Sequence, residues 1–446
     1  MKRIQWVFLL CGITVSSQAQ HQPGRSEGFR SQTPIIFEAI PLPGDSGKQR
    51  IDVHFRIPER LFVLVRNDEP DAKGEYLARG EVAVELLDKE SVSFARALQK
   101  VTITSPTSNP EPGSMETYQG MMTFSVPSGE YTILMEVDDL ESGRRVLDRN
   151  RRVSTFGLKK SESKPVPLFV NPIIEDTSGR FVTPQNFGGN PLFGKPGALL
   201  LALPNTLSPE HITSITYAIR SDDEEDRFTL EDTVSNPVIF EKTTLQPIET
   251  QKSIRYQIVP STESSMLEVP IPLERLPLRS FSLSLQIRSG KETEEITKKF
   301  VTLWPDMPRS LRDVEYALEM LNYITRPSQL DSLRSGSYEE QRRNLETFWR
   351  GKDPRKDTPI NGAMAEYYRR VDYATHHYSS LRDNDGAKTD RGRIYILHGP
   401  PTKIERTLNP TSGYKEEWSY SSSGKVFLFV DENKSGRYTL VSSRTI

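Results

Sequence analysis

The chain has 446 residues, too many for one core, and its 58 Lys and Arg nearly balance 60 Asp and Glu. That balance argues against nucleic acid as a dedicated partner, and a length of this order suggests about three domains. A single cysteine, Cys11, leaves no pair for a disulfide.

Lys2 and Arg3 precede an apolar run at 4–15, too short to span a bilayer as a mature helix, and Ser17-Gln18-Ala19 fits a small-x-small cleavage site. Residues 1–19 are therefore expected to be a signal peptide, which would remove Cys11. An exported address follows: periplasm, outer-membrane-associated or secreted. Cys11 follows Leu9 and Leu10 rather than small residues, which disfavours a lipid anchor. Residues 20–33 are polar and contain Gly and Ser, the composition of a disordered lead-in.

Over 34–158 the hydrophobic period is two. Ile51, Val53, Phe55 and Ile57 alternate with polar residues, as do Val82, Val84 and Leu86, and Tyr131, Ile133, Met135 and Val137. Such alternation predicts half-buried antiparallel strands. Pro127-Ser128-Gly129 and Glu141-Ser142-Gly143 mark turns. Tyr131, early in a late strand, fits either the tyrosine corner of immunoglobulin-like sandwiches or an ordinary half-buried strand tyrosine.

Residues 159–164 form a Lys/Ser-rich linker. A second β region is expected over 165–304, with a short apolar strand at 198–203, alternation at Ile215, Tyr217 and Ile219 and at Phe281, Leu283, Leu285 and Ile287, and a turn at Arg288-Ser289-Gly290. The acidic run at 222–226 lacks the spaced ligand ladder of a calcium loop and reads as a solvated hairpin tip.

From Trp304 to Pro308 the period changes. Ser310 followed by Asp313 predicts a capped helix with Leu311, Val314, Leu318, Leu321 and Ile324 on one face, ended by Pro327. Ser337 and Glu340 form a second capping box before Leu345, Phe348 and Trp349. Asn361 opens a third helix carrying Met364, Tyr367, Tyr368, Val371, Ala374, Tyr378 and Leu381. Strands are expected at 393–397, 416–420, 426–430 and 438–442. The fold class is thus multidomain: two tandem antiparallel β-sandwiches, immunoglobulin-like, then an α+β domain over 308–446 of three helices and an antiparallel sheet.

Standard catalytic motifs are missing: no Gly-x-Ser-x-Gly, no His-Glu-x-x-His, no phosphate loop and no dinucleotide fingerprint. Of the 6 histidines, His376 and His377 point about 100° apart on a helix and suit no shared metal. His398 closes an expected strand, so with Asp390 and Glu416 it is the weak catalytic candidate. Arg391 and Arg393 could clamp an anion, and the blander expectation pairs them with Asp353 or Asp390. No metal and no cofactor is expected.

The C-terminal third resembles the GWxTD domain family, exported bacterial proteins recognised by a motif and without an assigned reaction. The likeness runs through Phe348-Trp-Arg-Gly-Lys-Asp-Pro354, Thr358-Pro359, Glu366-Tyr-Tyr-Arg-Arg-Val371, and then Gly386-Ala-Lys-Thr-Asp390 with Arg391, Gly392, Gly399 and Pro400. Glu417-Trp-Ser-Tyr420 and Phe427-Leu-Phe-Val-Asp431 continue it. The motif residues are Trp349, Asp353, Pro354, Gly386, Thr389, Asp390, Arg391, Gly392, Gly399 and Pro400, and Ala387 stands where the motif has tryptophan. Survival of the rest favours a turn-building role, with Asp390 in an Asx-type turn and Gly392 at positive φ. These readings imply a non-catalytic exported protein acting as a structural or protein-interaction module, with a protein partner in the envelope. The alternatives are an envelope hydrolase acting on glycan or peptide bonds through acids near His398, and a glycan-binding protein using Trp304, Trp349 or Trp418.

Overall fold

The computed structural model describes residues 35–445 apart from 45–47, 69–73, 108–116, 155–164, 186–187, 205–208, 223–226, 235–236, 250–253, 291, 381–382 and 410–412. The expected signal peptide, the lead-in, the linker at 159–164 and the acidic run beyond Asp222 lie outside the described residues.

The chain is mostly antiparallel sheet. Strands β1 (Ile36–Pro43), β2 (Gln49–Pro58) and β6 (Thr117–Val126) form one sheet in the order β1-β2-β6. Facing it are β3 (Val65–Arg66), β4 (Tyr76–Leu87), β7 (Glu130–Asp139) and β8 (Arg145–Ser154), with β5 (Ser93–Ser105) paired to β4. Ile51, Val53, Phe55 and Ile57 of β2 meet Val82, Val84, Leu86, Ile133 and Met135 in one core. Each such side chain, fully buried, contributes about 1.5–3 kcal/mol. Tyr131 is buried and its hydroxyl donates to the Pro127 carbonyl at 3.1 Å, the backward bond that defines a tyrosine corner.

β2 is not half-buried. Asp52 and His54, on the face expected to meet water, are both 0 % exposed. A further layer covers them, contributed by sequence some 200 residues away.

That layer belongs to the second β region. Strands β9 (Leu168–Val170), β12 (Ala198–Pro204), β15 (Val238–Phe240) and β18 (Ser264–Pro270) form a sheet ordered β15-β18-β12-β9. Strands β13 (Ile212–Ser221), β14 (Thr229–Thr233), β19 (Ser280–Ser289) and β20 (Glu292–Val301) form another, ordered β14-β13-β19-β20. Between these two sheets lie Leu199, Leu201, Leu203, Ile215, Ile219, Leu283 and Leu285. A third sheet, β10 (Ile174–Asp176), β11 (Gly179–Val182), β16 (Thr243–Glu249) and β17 (Ile254–Pro260), packs elsewhere. Its Val182, Leu245 and Tyr256 share a core with Ala198, Leu200 and Ala202 of β12 and with Ile40, Leu42 and Met121 of the first region. β12 is therefore buried on both faces, which is why its sequence is an unbroken apolar run.

The helices follow. Asp313, not Ser310, caps α1 (Val314–Met320) by accepting from the Tyr316 amide, and Ser310 lies in a preceding 3₁₀ turn. Pro327 does not end this helix; it opens α2 (Pro327–Leu333) at the first turn, where its missing N–H costs nothing. The capping box of Ser337 and Glu340 starts α3 (Tyr338–Arg350) as expected. Asn361 caps α4 (Gly362–His377). The expected strand at 393–397 is instead α5 (Asp390–His398). Four strands close the chain, β21 (Lys403–Asn409), β22 (Gly413–Tyr420), β23 (Lys425–Asp431) and β24 (Thr439–Thr445), in sequential order. Trp304, Trp349, Tyr368, Ile394, Trp418 and Phe429 share their core with the helices.

Candidate functional site

The motif segment builds the junction between α4, α5 and the last sheet. Asp385 caps a 3₁₀ turn over 386–388, accepting from the Ala387 amide at 3.1 Å, and Tyr316 donates to the same carboxylate at 3.1 Å. Thr389 then caps α5: its Oγ1 accepts from the Gly392 amide at 3.1 Å and donates to the Gly386 carbonyl at 2.8 Å. These local bonds favour a helix in a segment, Ile394-Tyr395-Ile396, whose branched and aromatic residues favour a strand. α5 is also enclosed. Ile394 and Ile396 are both buried, and Tyr395 stacks on Tyr373 of α4 at 4.5 Å. A helix packed around most of its circumference shows no 3.6-residue stripe, so its period-two pattern misleads.

The two motif glycines are required by close backbone approach. A Cβ on Gly386 would lie 2.2 Å from the Ala374 carbonyl oxygen of α4. One on Gly392 would lie 2.0 Å from the Gly386 oxygen. Gly392 is helical, so the expected positive φ there is incorrect; that conformation belongs to Gly399, at φ 78°, which ends α5. The Gly399 carbonyl accepts from Tyr420 at 3.0 Å, and Pro400 is exposed beyond it.

Asp390 forms no Asx-type turn. One oxygen accepts from the Leu440 amide of β24 at 2.9 Å and the other from Arg393 at 3.0 Å. Arg391 reaches Glu416 at 3.4 Å and the Gly436 carbonyl at 3.3 Å, and lies 4.2 Å over the Tyr438 ring. Its acidic partner is thus Glu416 rather than Asp353, whose carboxylate instead accepts from the Arg355 amide at 3.0 Å beside Pro354. Glu416 is 4 % exposed and also accepts from Arg406 at 2.9 Å and from the Trp418 indole at 3.2 Å. Arg406 and Trp418 join this cluster without belonging to any catalytic motif. The period of two in Glu416, Trp418 and Tyr420, which puts all three on one sheet face, was the available signal.

His398 stands apart from these acids. It and Asp390 are at opposite ends of α5, about 12 Å apart at the helical rise. Its ring lies against Tyr420 and Phe427, 5.5 and 5.2 Å between centroids. Burial, then the Lys425 and Arg370 charges, holds its pKa below the usual histidine value. His377 stacks on Tyr373 at 3.7 Å. Among the described residues no three His, Cys, Asp or Glu gather to hold a metal, and no helix is long and apolar enough to cross a membrane. Trp304, Trp349 and Trp418 are all buried, so none is a platform for a sugar ring.

Residues 286–445 match the family described as the GWxTD domain. The C-terminal part of this chain is a GWxTD domain. The match begins inside β19, upstream of the helices. No curated protein sequence matches the chain. Similar solved structures include the C-terminal domain of the Streptococcus pyogenes antigen I/II-family protein AspA, at 8 % identity and TM-score 0.15, covering 60 % of this chain and 100 % of that one. Collagen adhesin from S. aureus is similar at 10 % identity and TM-score 0.13, covering 63 % and 96 %. A family 123 glycoside hydrolase from Clostridium perfringens is similar at 13 % identity and TM-score 0.14, covering 34 % and 31 %. Likeness at this level carries no activity over to the present chain.

In this GWxTD domain the eponymous position, Ala387, is fully buried, and its carbonyl accepts from Tyr323 at 2.9 Å. The motif's polar groups cap α5 and fasten it to β22 and β24.

Proposed function

We propose that this is an exported, non-catalytic cell-envelope or secreted protein in which two immunoglobulin-like β-sandwiches, over 34–158 and 165–304, carry a GWxTD domain that docks on a protein partner. One observation carries the reading: Thr389, Asp390, Arg391 and Glu416 each hold internal hydrogen bonds or ion pairs. Side chains committed to internal bonds are poorly placed to bind and turn over a substrate. The signal-peptide pattern at 1–19 supports export, and the Tyr131–Pro127 bond supports the immunoglobulin-like topology.

The docking edge we favour is β21. Ile404, Arg406 and Leu408 pair in register with Trp418, Glu416 and Tyr414 and so share the sheet face that the helices cover. The cover stops short of β21, leaving Ile404 40 % and Leu408 67 % exposed on an edge strand. An apolar strip beside unpaired main-chain groups suits an added strand or an apolar ridge of another protein.

The test is affinity purification of the full chain from envelope extracts, beside Ile404→Glu/Leu408→Glu. The wild type should recover a reproducible partner that the double variant loses while its tryptophan emission is unchanged. Recovery of the bait alone would end the interaction reading, and equal capture by both forms would remove β21 from it. The hydrolase alternative needs an acid beside His398, and the glycan alternative an exposed ring; neither gains support from the positions described above.

A further inference from the structure

The alternation in β1 and β2 places Glu38, Arg50, Asp52 and His54 on the face that a lone sandwich would turn to water. Here that face is closed by β17, β16 and β20. Tyr256 of β17, fully buried, hydrogen-bonds His54 Nε2 at 2.7 Å and donates to Asp52 at 2.9 Å. Thr123 of β6 donates to the other Asp52 oxygen at 2.9 Å. Arg50 pairs with Asp52 at 3.1 Å and also donates to the Leu245 carbonyl of β16 at 2.5 Å. Lys298 of β20 lies 3.9 Å from Glu38, the residue opposite His54 across the β1–β2 ladder.

The proton count of this chain of bonds is determined by the tyrosine. Its single hydroxyl proton goes to Asp52, so it accepts from His54 Nε2–H, and the ring is the neutral tautomer with its lone pair on Nδ1. Nδ1 is buried and has no hydrogen-bond partner among the described residues. A proton arriving there would create a buried cation whose N–H has no acceptor. The charges already facing the site are Glu38 and Asp52 against Arg50, Arg56 and Lys298, so a further positive charge adds to an excess.

We propose that His54 makes the junction between the first and second β regions acid-labile: the ring takes up its proton only when β2 and β17 part, so acidification releases the two regions from each other. Burial, followed by the Arg56 charge, pushes the His54 pKa down to about 3. Because the closed-state value is depressed below the ordinary one, the stabilisation is complete at neutral pH and is lost as pH falls from about 6.5 toward 3. Asp52 has the opposite sign. Burial raises its pKa, so its own protonation favours the closed state and limits the effect at the acid end.

Hydrogen exchange of the full chain, corrected for the intrinsic pH dependence of exchange, tests this at pH 7 and pH 5. His54 alone would raise the opening constant for amides of β2 and β17 about 25-fold between these pH values, and Asp52 opposes it, so the rise should be at most about 25-fold, while amides of α3 and α4 do not follow. His54→Phe retains the ring against Tyr256, and His54→Gln retains a donor to its hydroxyl; each that folds should abolish the rise. An equal rise in wild type and variant, or no rise in wild type, overturns the proposal. Imidazole NMR of the wild type gives an answer that needs no variant: His54 should remain the neutral Nε2–H tautomer in the closed state at pH 5. Titration near 6.5 without opening overturns the proposal as well.

Discussion

Gly392→Ala sets two effects of opposite sign against each other. In a helix, alanine is up to about 1 kcal/mol better than glycine, so propensity predicts stabilisation of α5. The added methyl, however, would stand 2.0 Å from the Gly386 oxygen, 2.9 Å from Ala387 Cα and 3.0 Å from the Ala387 carbonyl carbon. All three are backbone atoms, which cannot rotate away. Nor can the 386–388 turn retreat, because Gly386 is itself pressed against Ala374 and Ser379, with a Cβ site 2.2 Å and 2.5 Å from their backbone atoms. Overpacking of this kind costs about 1–3 kcal/mol and sometimes more. We therefore expect net destabilisation of about 1 kcal/mol after subtracting the propensity gain. Urea unfolding followed by tryptophan emission reads chiefly this domain, because Trp304, Trp349 and Trp418, three of the chain's 4 tryptophans, sit in its core. Gly362→Ala, at the start of α4 with no atom within 4 Å of the added methyl, is the control. It should stabilise by at most about 1 kcal/mol. A Gly392→Ala midpoint equal to or above the wild type would refute the close-approach reasoning.

Glu416→Gln should destabilise the same transition by about 1–3 kcal/mol, because Arg391 is left nearly buried without its carboxylate. Arg406→Gln should cost no more than about 1 kcal/mol, since Arg406 is 65 % exposed. Restoring the motif aromatic with Ala387→Trp should lower the urea midpoint, at a cost of about 1–3 kcal/mol or more, since position 387 is sealed. Tyr131→Phe should cost about 0.5–1.5 kcal/mol and increase hydrogen exchange in β7 and β8 without altering tryptophan emission. Trp349→Ala should cost about 3–5 kcal/mol; retention of wild-type on polysaccharide, lost in a variant of unchanged stability, would contradict its core role.

Local signals are legible where one stretch of chain contains both partners of the interaction. Ser337 and Glu340 cap α3, Asn361 caps α4, and Ser142-Gly143 and Ser289-Gly290 turn their hairpins, because each is decided within a few residues. The motif's identity as a family signature was legible for the same reason. Its conformation was not: Ile394-Tyr395-Ile396 has the composition of a strand, and only enclosure by α4 and the last sheet, with Thr389 at one end and Gly399 at the other, makes it helical. Likewise Glu416 was visible as a candidate acid, but its partners come from α5 and β21.

The sequence by itself determined the β character of the first two regions, the change to helices after Trp304 and the family of the C-terminal domain, since periodicity and capping are properties of neighbouring residues. Tertiary structure alone decided that the polar face of β2 is interior. Hydrophobic alternation states which side of a strand must be dry; it is silent on whether the other side is wet. Asp52 and His54 are dry because Tyr256, Leu245 and Lys298 arrive from far along the chain, and burial by a distant layer leaves no periodic trace in the strand it covers.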